Sequence, residues 1–177
     1  MTIHYSTLYE NWCALFAHLF CWFNIIPLPL YIYCYQIMDI ENVKKIIERK
    51  PNLSTALGMN FISTAEQDTC KATMKVDERN RQPFGFLSGG ASLALAENLA
   101  GVGSCSICPD KICVGISVSG EHVRAVQEGD TVTANARLVS KGHKLHVWEV
   151  SIVNSHGELI STVHVTNYVL TPKDSQD

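Results

Sequence analysis

One carboxylate stands in a run of small and apolar residues that otherwise offers no chemistry. Glu97 follows the run ASLALA at residues 91–96, and the segment begins at Gly89 and Gly90. A carboxylate in an apolar environment is costly unless it is hydrogen-bonded, paired with a cation or used by the protein. The glycines expose backbone N–H groups at a helix start, where the helix dipole favours negative charge. The segment therefore pairs a candidate base, Glu97, with a candidate oxyanion site at Gly89 and Gly90.

Length and composition predict one globular domain. The chain has 177 residues, of which 46% are hydrophobic and 18% charged, and this suits a domain with a sizeable core. The formal net charge of -3 argues against a nucleic-acid partner. The seven cysteines are scattered and odd in number. This pattern favours reduced thiols over a disulfide framework and indicates a cytoplasmic protein.

Residues 1–37 form a hydrophobic N-terminal extension that differs from the rest of the chain. No charged residue occurs from Asn11 to Met38, so hydropathy alone would allow a membrane span. Pro27 and Pro29 would break that helix, and neither a basic region before the run nor a small-residue cleavage site after it is present. Three interpretations stay open: upstream sequence from a start site chosen too early, with Met38 the natural start; a membrane or partner-binding anchor; or a segment that folds onto the domain. Membrane contact is not the favoured one.

From Met38 the pattern is that of an α+β domain, predicted to span residues 38–171 before a polar tail at 172–177. Asp39 can cap a helix whose apolar residues recur at helical spacing and which Pro51 ends. A second helix is predicted from Ser88 to Gly103. Strands are predicted at 57–64, 69–76, 112–119, 131–140, 144–154 and 159–170.

Turn residues separate the last four predicted strands. The separators lie at 128–130, 141–143 and 155–158, and each has the Gly, Asp, Ser or Lys composition of a hairpin turn. The four strands are therefore predicted to form an antiparallel meander, against which the Ser88–Gly103 helix buries its apolar surface.

Several motifs follow one another in a fixed order. They are Gln82-Pro-Phe-Gly-x-Leu-x-Gly-Gly-Ala-Ser-x-x-x-Ala-Glu97, Asn98-Leu-Ala-Gly101, Glu121-His-Val-Arg124, and Gly142 with Val147-Trp148. This ordered set resembles the hotdog-fold acyl-coenzyme A thioesterases, and within them the PaaI-like branch. The resemblance covers approximately residues 57–170 and implies a curved antiparallel β-sheet wrapped around a long central helix. It also implies homodimers whose sheets join edge to edge, often paired again into homotetramers.

The resemblance also implies roles for residues around the first motif. Glu97 matches the catalytic carboxylate, the Gly89 N–H matches the donor that polarises the thioester carbonyl, and Gln82 matches the side chain beside that carbonyl. Ser88 stands where relatives usually carry His; it is a good N-cap that can accept from the first N–H groups of the helix, but it supplies no imidazole. Gly101 stands where relatives often carry Ser or Thr.

Two further segments match positions that line the channel for the coenzyme A nucleotide in the family. They comprise His122, Val123 and Arg124, followed by Gly142, His143 and Lys144. Arg124 and Lys144 are able to face phosphates as charged donors. The residues themselves also allow the alternative that both are ordinary solvated charges at strand ends.

The spacing of Gly89 and Glu97 constrains any shared site. Eight residues along one helix span roughly 12 Å, which is too far for both groups to touch one thioester carbon. A second subunit must therefore bring its Glu97 to the Gly89 of the first, as in a two-fold interface.

Together these features predict hydrolysis of an acyl-CoA thioester, with an aromatic acyl group such as 1,4-dihydroxy-2-naphthoyl favoured by the resemblance. Glu97 would act as a general base on water or as a nucleophile, and the residues do not separate the two routes.

No cofactor is implied beyond the coenzyme A of the substrate, and one C-x-x-C at 105–108 with Cys113 does not favour a metal site. The alternative is a non-catalytic acyl-CoA sensor, which Ser88 and Gly101 keep open. The candidate acyl pocket consists of Phe84, Phe86, Leu87 and Leu93.

Overall fold

The computed structural model of the protein describes residues 38 and 40–171. The predictions for the extension at 1–37, the cap at Asp39 and the tail at 172–177 lie outside the described residues. None of the helices in the described part combines the length and hydropathy that a membrane span requires.

Three helices and six strands follow one another in the described part of the chain. They are α1 (Ile40–Ile47), α2 (Leu53–Leu57), β1 (Met59–Ser63), β2 (Thr69–Lys75), α3 (Gly89–Ser106), β3 (Ile112–His122), β4 (Thr131–Lys141), β5 (Leu145–Val153) and β6 (Leu159–Leu170). All six predicted strands and both predicted helices are present, with ends that differ by a few residues at most. The predicted α+β class is therefore confirmed.

The short helix α2 is the element that the sequence pattern did not predict. Its N-cap residue Asn52 accepts a hydrogen bond from the Thr55 N–H at 3.2 Å, and the Thr55 hydroxyl accepts one from the Asn52 N–H at 3.0 Å. Gly58, with φ 71°, ends the helix in the left-handed conformation. This reciprocal capping fixes Leu57 in a helix, so the strand predicted at 57–64 begins only at Met59.

The sheet has the strand order β1-β2-β4-β5-β6-β3, and every neighbouring pair is antiparallel. Strands β4, β5 and β6 form the predicted meander, with hairpin turns at 141–143 and 155–158. The prediction is wrong for β3, which pairs with β6 at the far edge, so 128–130 is not a hairpin turn. The Gly129 N–H instead donates to the Val76 carbonyl at 2.8 Å, and the Asp130 carbonyl accepts from the Val76 N–H. Turn residues specify a local reversal, and they do not specify which strands pair.

The sheet wraps around α3, whose small side chains allow a close approach. Trp148 of β5 is fully buried, and its ring lies directly over Gly103, where an added Cβ would stand 2.5 Å from the ring atom Cη2. Its indole Nε1 donates to the Ser104 hydroxyl at 2.9 Å, and the amide of Asn167 donates to the same oxygen at 2.9 Å. Helix and sheet are thus fixed to each other by ring packing and by two buried hydrogen bonds.

Substitution of Gly103 tests this packing. Gly103→Ala is expected to lower the free energy of unfolding by about 1–3 kcal/mol, because the new methyl group overlaps with a buried indole. Gly101→Ala is the matched control in the same helix, since an added Cβ there meets no atom within 4 Å. It should raise the free energy of unfolding by about 0.5–1 kcal/mol through helix propensity. Urea unfolding measures both, and a shift of the same sign in the two variants would contradict the packing.

Candidate active site

The start of α3 presents two backbone donors. The Ser88 carbonyl accepts hydrogen bonds from the N–H groups of Ala91 and Ser92 at 3.0 and 3.1 Å, so intrahelical bonding begins at Ala91. The N–H groups of Gly89 and Gly90 precede that point and have no acceptor within the helix. Gly90 is exposed and Gly89 half-buried. An anion or a polarised carbonyl can therefore bind at this turn.

Ser88 is the N-cap residue in position and in its extended backbone, as predicted. The prediction that its side chain accepts from the first helical N–H groups is wrong, because Ser88 makes no side-chain capping bond. Its Oγ lies on the side of Gly90, 3.7 Å from the point where a Cβ of that residue would stand. The Ser88 hydroxyl therefore lies at the start of α3 but does not form a capping hydrogen bond with the helix.

Five of the predicted site residues surround one cavity of about 350 Å³, which we call the Gly89 pocket. They are Gln82, Gly89, His122, Val123 and Arg124. His122 is the last residue of β3, Val123 and Arg124 follow it directly, and the loop before α3 supplies Gln82. The structure therefore brings together residues that are 42 positions apart in the sequence, counted from 82 to 124.

His122 packs directly on the glycine that begins α3. Its Nε2 lies 2.7 Å from the point where a Cβ of Gly89 would stand, so only glycine leaves room for the imidazole. The opposite ring nitrogen, Nδ1, is hydrogen-bonded to the hydroxyl of Ser161 at 2.8 Å, and Ser161 is fully buried. The ring is thus held from behind while Nε2 faces the helix start. Arg124, in the same pocket, forms an ion pair with Glu158 at 3.2 Å, and both side chains are well exposed.

Glu97 lies in a second cavity, of about 960 Å³, which we call the Glu97 cavity. It lies between α1, α2, α3 and the start of β3. Glu97 has no hydrogen-bond or ion-pair partner among the described residues, and its Oε1 occupies the space that a Cβ of Gly115 in β3 would take. A side chain at position 115 would overlap with the carboxylate. The apolar residues that line the cavity include Val43, Ile46, Ile47, Leu53, Val102, Pro109 and Ile112.

Glu97 and Gly89 line different cavities of the same protomer. This agrees with their separation along one helix, which places the two groups too far apart to act on one carbon. Within the described protomer, the two members of the predicted catalytic pair therefore lie in two separate cavities.

The hairpin that contains Gly142, His143 and Lys144 does not reach the Gly89 pocket of its own protomer. The Lys144 carbonyl accepts from the Val169 N–H at 2.9 Å, whereas His122 is bonded to Ser161. Residues 161 and 169 are eight steps apart on β6, which corresponds to about 26 Å. One protomer thus places the two halves of the predicted nucleotide channel at opposite ends of the sheet.

Sequence reasoning missed Gly115 and Ser161, and it missed most of the cavity wall. Gly115 stands inside a predicted strand, where an isolated glycine signals a bulge or a close approach, and the register of β3 and β6 shifts between Gly115 and Ser117. Of the predicted acyl pocket, Leu87 lines the Gly89 pocket and none of the four residues lines the Glu97 cavity. Phe84 is 80% exposed and lies next to Gly85, which has a φ of 81°. No sequence signal at 40–57 indicated that α1 and α2 supply the wall.

Comparison with known proteins places the chain in a family. The sequence profile of the Thioesterase superfamily matches residues 84–161. A Deinococcus radiodurans protein, whose name goes no further than esterase, is 45% identical over 121 residues, which are 67% of this chain and 74% of that protein. The 1,4-dihydroxy-2-naphthoyl-CoA hydrolase of Escherichia coli is 37% identical over 105 residues, which are 58% of this chain and 76% of that enzyme.

A solved structure agrees with these relatives. The crystal structure of a mutant thioesterase from Pseudomonas aeruginosa superposes with a TM-score of 0.69 at 31% sequence identity, over 76% of this chain and 96% of that one. The chain therefore belongs to the Thioesterase superfamily, and its sheet and central helix form the hotdog fold. The predicted resemblance is confirmed, and the protein is a thioester hydrolase.

Gly115 provides a test of how the carboxylate is held. Gly115→Ala should reduce kcat/KM for a thioester substrate by about 100-fold, because the new methyl group displaces Glu97, the predicted catalytic carboxylate, by about 1 Å. The melting temperature should stay near that of the wild type, since the displaced atoms are the free end of a flexible side chain. Steady-state kinetics and thermal melting measure the two effects.

The control for this prediction is the same change in a background without the carboxylate. In Glu97→Ala protein, adding Gly115→Ala should cause no further loss, because position 115 acts through Glu97. Independent, additive losses would show that Gly115 has another role.

Proposed function

We propose that this protein hydrolyses acyl-CoA thioesters, with Glu97 of one subunit acting on a carbonyl that is polarised at Gly89 of a second copy. The observation that carries the proposal is Glu97 itself. It is a carboxylate without a partner among the described residues, it lies at the wall of a largely apolar cavity, and it stands on the helix whose start offers two backbone donors. Such a half-buried carboxylate, with no partner to neutralise it, is available to act on a substrate in the cavity.

The reaction follows from these groups. The Gly89 N–H donates to the thioester oxygen and stabilises the negative charge that develops there. Glu97 either removes a proton from water, which attacks the carbonyl carbon, or attacks that carbon itself to give a mixed anhydride that water then cleaves. Coenzyme A leaves as the thiolate in both routes. Gln82 and Ser88 stand beside the carbonyl, and no cofactor is needed beyond the coenzyme A of the substrate.

The edge of the sheet supports a homodimer. Strand β3 is 11 residues long and forms one edge of the sheet, where Ile112, Val114 and Ile116 are 53%, 39% and 58% exposed. A long apolar edge strand invites pairing with another strand. Antiparallel pairing with β3 of a second copy would satisfy this edge and bring two α3 helices beside each other. We also propose that two such dimers associate into a homotetramer. This part of the proposal is supported only by the family resemblance.

The substrate that we propose is an aromatic acyl-CoA such as 1,4-dihydroxy-2-naphthoyl-CoA. Support comes from the Escherichia coli enzyme of that name and from a Listeria monocytogenes enzyme of the same name, which is 35% identical over 109 residues. The Glu97 cavity, at about 960 Å³, has room for a bicyclic ring. Gly90, His122, Val123 and Arg124 would bind the coenzyme A portion, together with Gly142, His143 and Lys144 of a neighbouring subunit.

Replacement of the carboxylate tests the enzyme against the sensor alternative. Glu97→Gln should reduce kcat for 1,4-dihydroxy-2-naphthoyl-CoA by about 10²–10⁴-fold while the substrate still binds, because the variant keeps the shape and loses the base. Glu66→Gln, at an exposed carboxylate in the β1–β2 turn, is the matched control and should retain full activity. Stopped-flow or steady-state release of coenzyme A measures turnover, and calorimetry measures binding. Tight binding without hydrolysis by the wild type, on an aromatic and an aliphatic panel, would identify a sensor and refute the proposal.

Mixed dimers test whether the site is shared. Glu97→Ala and Gly89→Val should each be inactive, since the first lacks the base and the second pushes a side chain into His122. A mixed dimer of the two variants contains one intact site. After unfolding and refolding an equimolar mixture, about one quarter of wild-type activity should return, because half of the dimers are mixed and half of their sites are intact. No recovery in a mixture whose mixed dimers are verified by native mass spectrometry would place both groups in one subunit.

A further inference from the structure

His122 and Ser161 lie opposite each other on two neighbouring strands at one end of the sheet. They are directly paired in the antiparallel ladder of β3 and β6, and Nδ1 of His122 is hydrogen-bonded to the Ser161 hydroxyl at 2.8 Å. Ser161 is fully buried, whereas His122 is exposed and lines the Gly89 pocket. The serine therefore holds the imidazole from its buried side, and a ligand in the pocket is able to reach the ring.

The buried hydroxyl decides which ring nitrogen carries the proton when the imidazole is neutral. Among residues 38 and 40–171, Nδ1 of His122 is the one hydrogen-bond partner of the Ser161 hydroxyl. A buried hydroxyl that donates to nothing is costly, so the Ser161 O–H donates and Nδ1 accepts. In a neutral imidazole one nitrogen accepts and the other carries the proton, which places the proton on Nε2. His122 thus presents an N–H donor at the start of α3.

The Nε2 donor lies close enough to the Gly89 nitrogen for both to bind one oxygen. Nε2 is 2.7 Å from the point where a Cβ of Gly89 would stand. That point is about 2.5 Å from the Gly89 nitrogen by standard bond lengths and angles. The two nitrogens are therefore at most about 5.2 Å apart. An oxygen that accepts from two N–H groups at about 2.9 Å each is able to bridge nitrogens up to about 5.8 Å apart.

We propose that His122 is a further catalytic residue, whose Nε2–H donates to the thioester oxygen beside the Gly89 N–H, and that Ser161 is the positioning residue that holds this donor in place. The role rests on the proposed function and goes beyond the coenzyme A contact of His122, because it concerns the reacting carbonyl. When water or Glu97 attacks the carbon, the electron pair of the carbonyl bond moves onto the oxygen, where two donors stabilise it. The pair returns to the carbonyl bond as coenzyme A leaves as the thiolate, so Nε2 keeps its proton throughout.

Kinetics of full-length variants separate a donor to the carbonyl from a contact to coenzyme A. His122→Ala should lower kcat for 1,4-dihydroxy-2-naphthoyl-CoA by about 10²–10³-fold, the cost of one oxyanion donor, with KM within about twofold of the wild-type value. His122→Gln keeps an N–H donor and should recover at least about tenfold of that loss. Arg124→Gln should instead raise KM, as expected for a residue that binds the coenzyme A portion. His164→Ala, at an exposed histidine of β6, is the matched control and should be as active as the wild type.

Ser161→Ala tests the positioning role. It should lower kcat by about tenfold, because the ring is no longer held against Gly89. In the His122→Ala background the same change should cause no further loss of kcat, because the serine acts through the ring. Nitrogen-15 NMR of the histidine rings reports the proton position directly, and the signal of His122 is assigned by its absence from His122→Gln. In the neutral ring of the wild type we expect the proton on Nε2.

The possible failures are distinguishable. A His122→Ala enzyme with the kcat of the wild type, whether or not its KM rises as in Arg124→Gln, would overturn the catalytic role of His122 and leave the proposed function standing. A neutral ring whose proton lies on Nδ1 would overturn the donor in the same way, and this measurement is made on the wild type, so it does not depend on the folding of a variant. A wild type that hydrolyses no acyl-CoA, on an aromatic and an aliphatic panel, would refute the proposed function and the role of His122 with it.

Discussion

The close approach of α3 to the sheet is the constraint on which the rest of the structure depends. Gly103 lies under the ring of Trp148, and Ser104 accepts hydrogen bonds from Trp148 and Asn167 on two neighbouring strands. These contacts leave the helix no freedom to rotate or slide within the sheet. Each group on α3 is therefore fixed relative to each strand, including the carboxylate of Glu97 relative to β3 and the Gly89 N–H relative to His122.

Because α3 is held rigidly, one protomer is unable to bring Glu97 and Gly89 to the same substrate. Glu97 and Gly89 stand two turns apart on α3 and line different cavities, and no bend of the helix brings them together. The hairpin at 142–144 is likewise separated from His122 by most of the length of β6. Strand β3 is one of the two edges of the sheet and carries exposed apolar side chains, and the proposed dimer would extend the sheet there and supply the groups that one protomer lacks.

The sequence predicted the elements better than it predicted their arrangement. Hydrophobic periodicity located the strands and α3, because period and turn residues are local properties. It missed α2, since the capping pair Asn52 and Thr55 outweighs a short apolar run, and it wrongly paired β3, since strand order is decided by long-range packing. For the candidate site, motif order led to the prediction of Glu97 and Gly89, whereas the contacts of Gly115 and Ser161 exist only in the folded chain.

In the Gly89 pocket, the serine at position 88 changes the set of side chains less than the sequence motif suggests. The family resemblance predicts a histidine at the position of Ser88, so the sequence motif alone would leave the helix start without an imidazole. In the folded chain an imidazole is nevertheless present, because His122 at the end of β3 directs Nε2 toward Gly89. The buried hydroxyl of Ser161 is hydrogen-bonded to Nδ1, so the ring is held with its other nitrogen against Gly89. The side chains that line a pocket thus depend on which strand ends meet there. A single position in a sequence motif does not determine them.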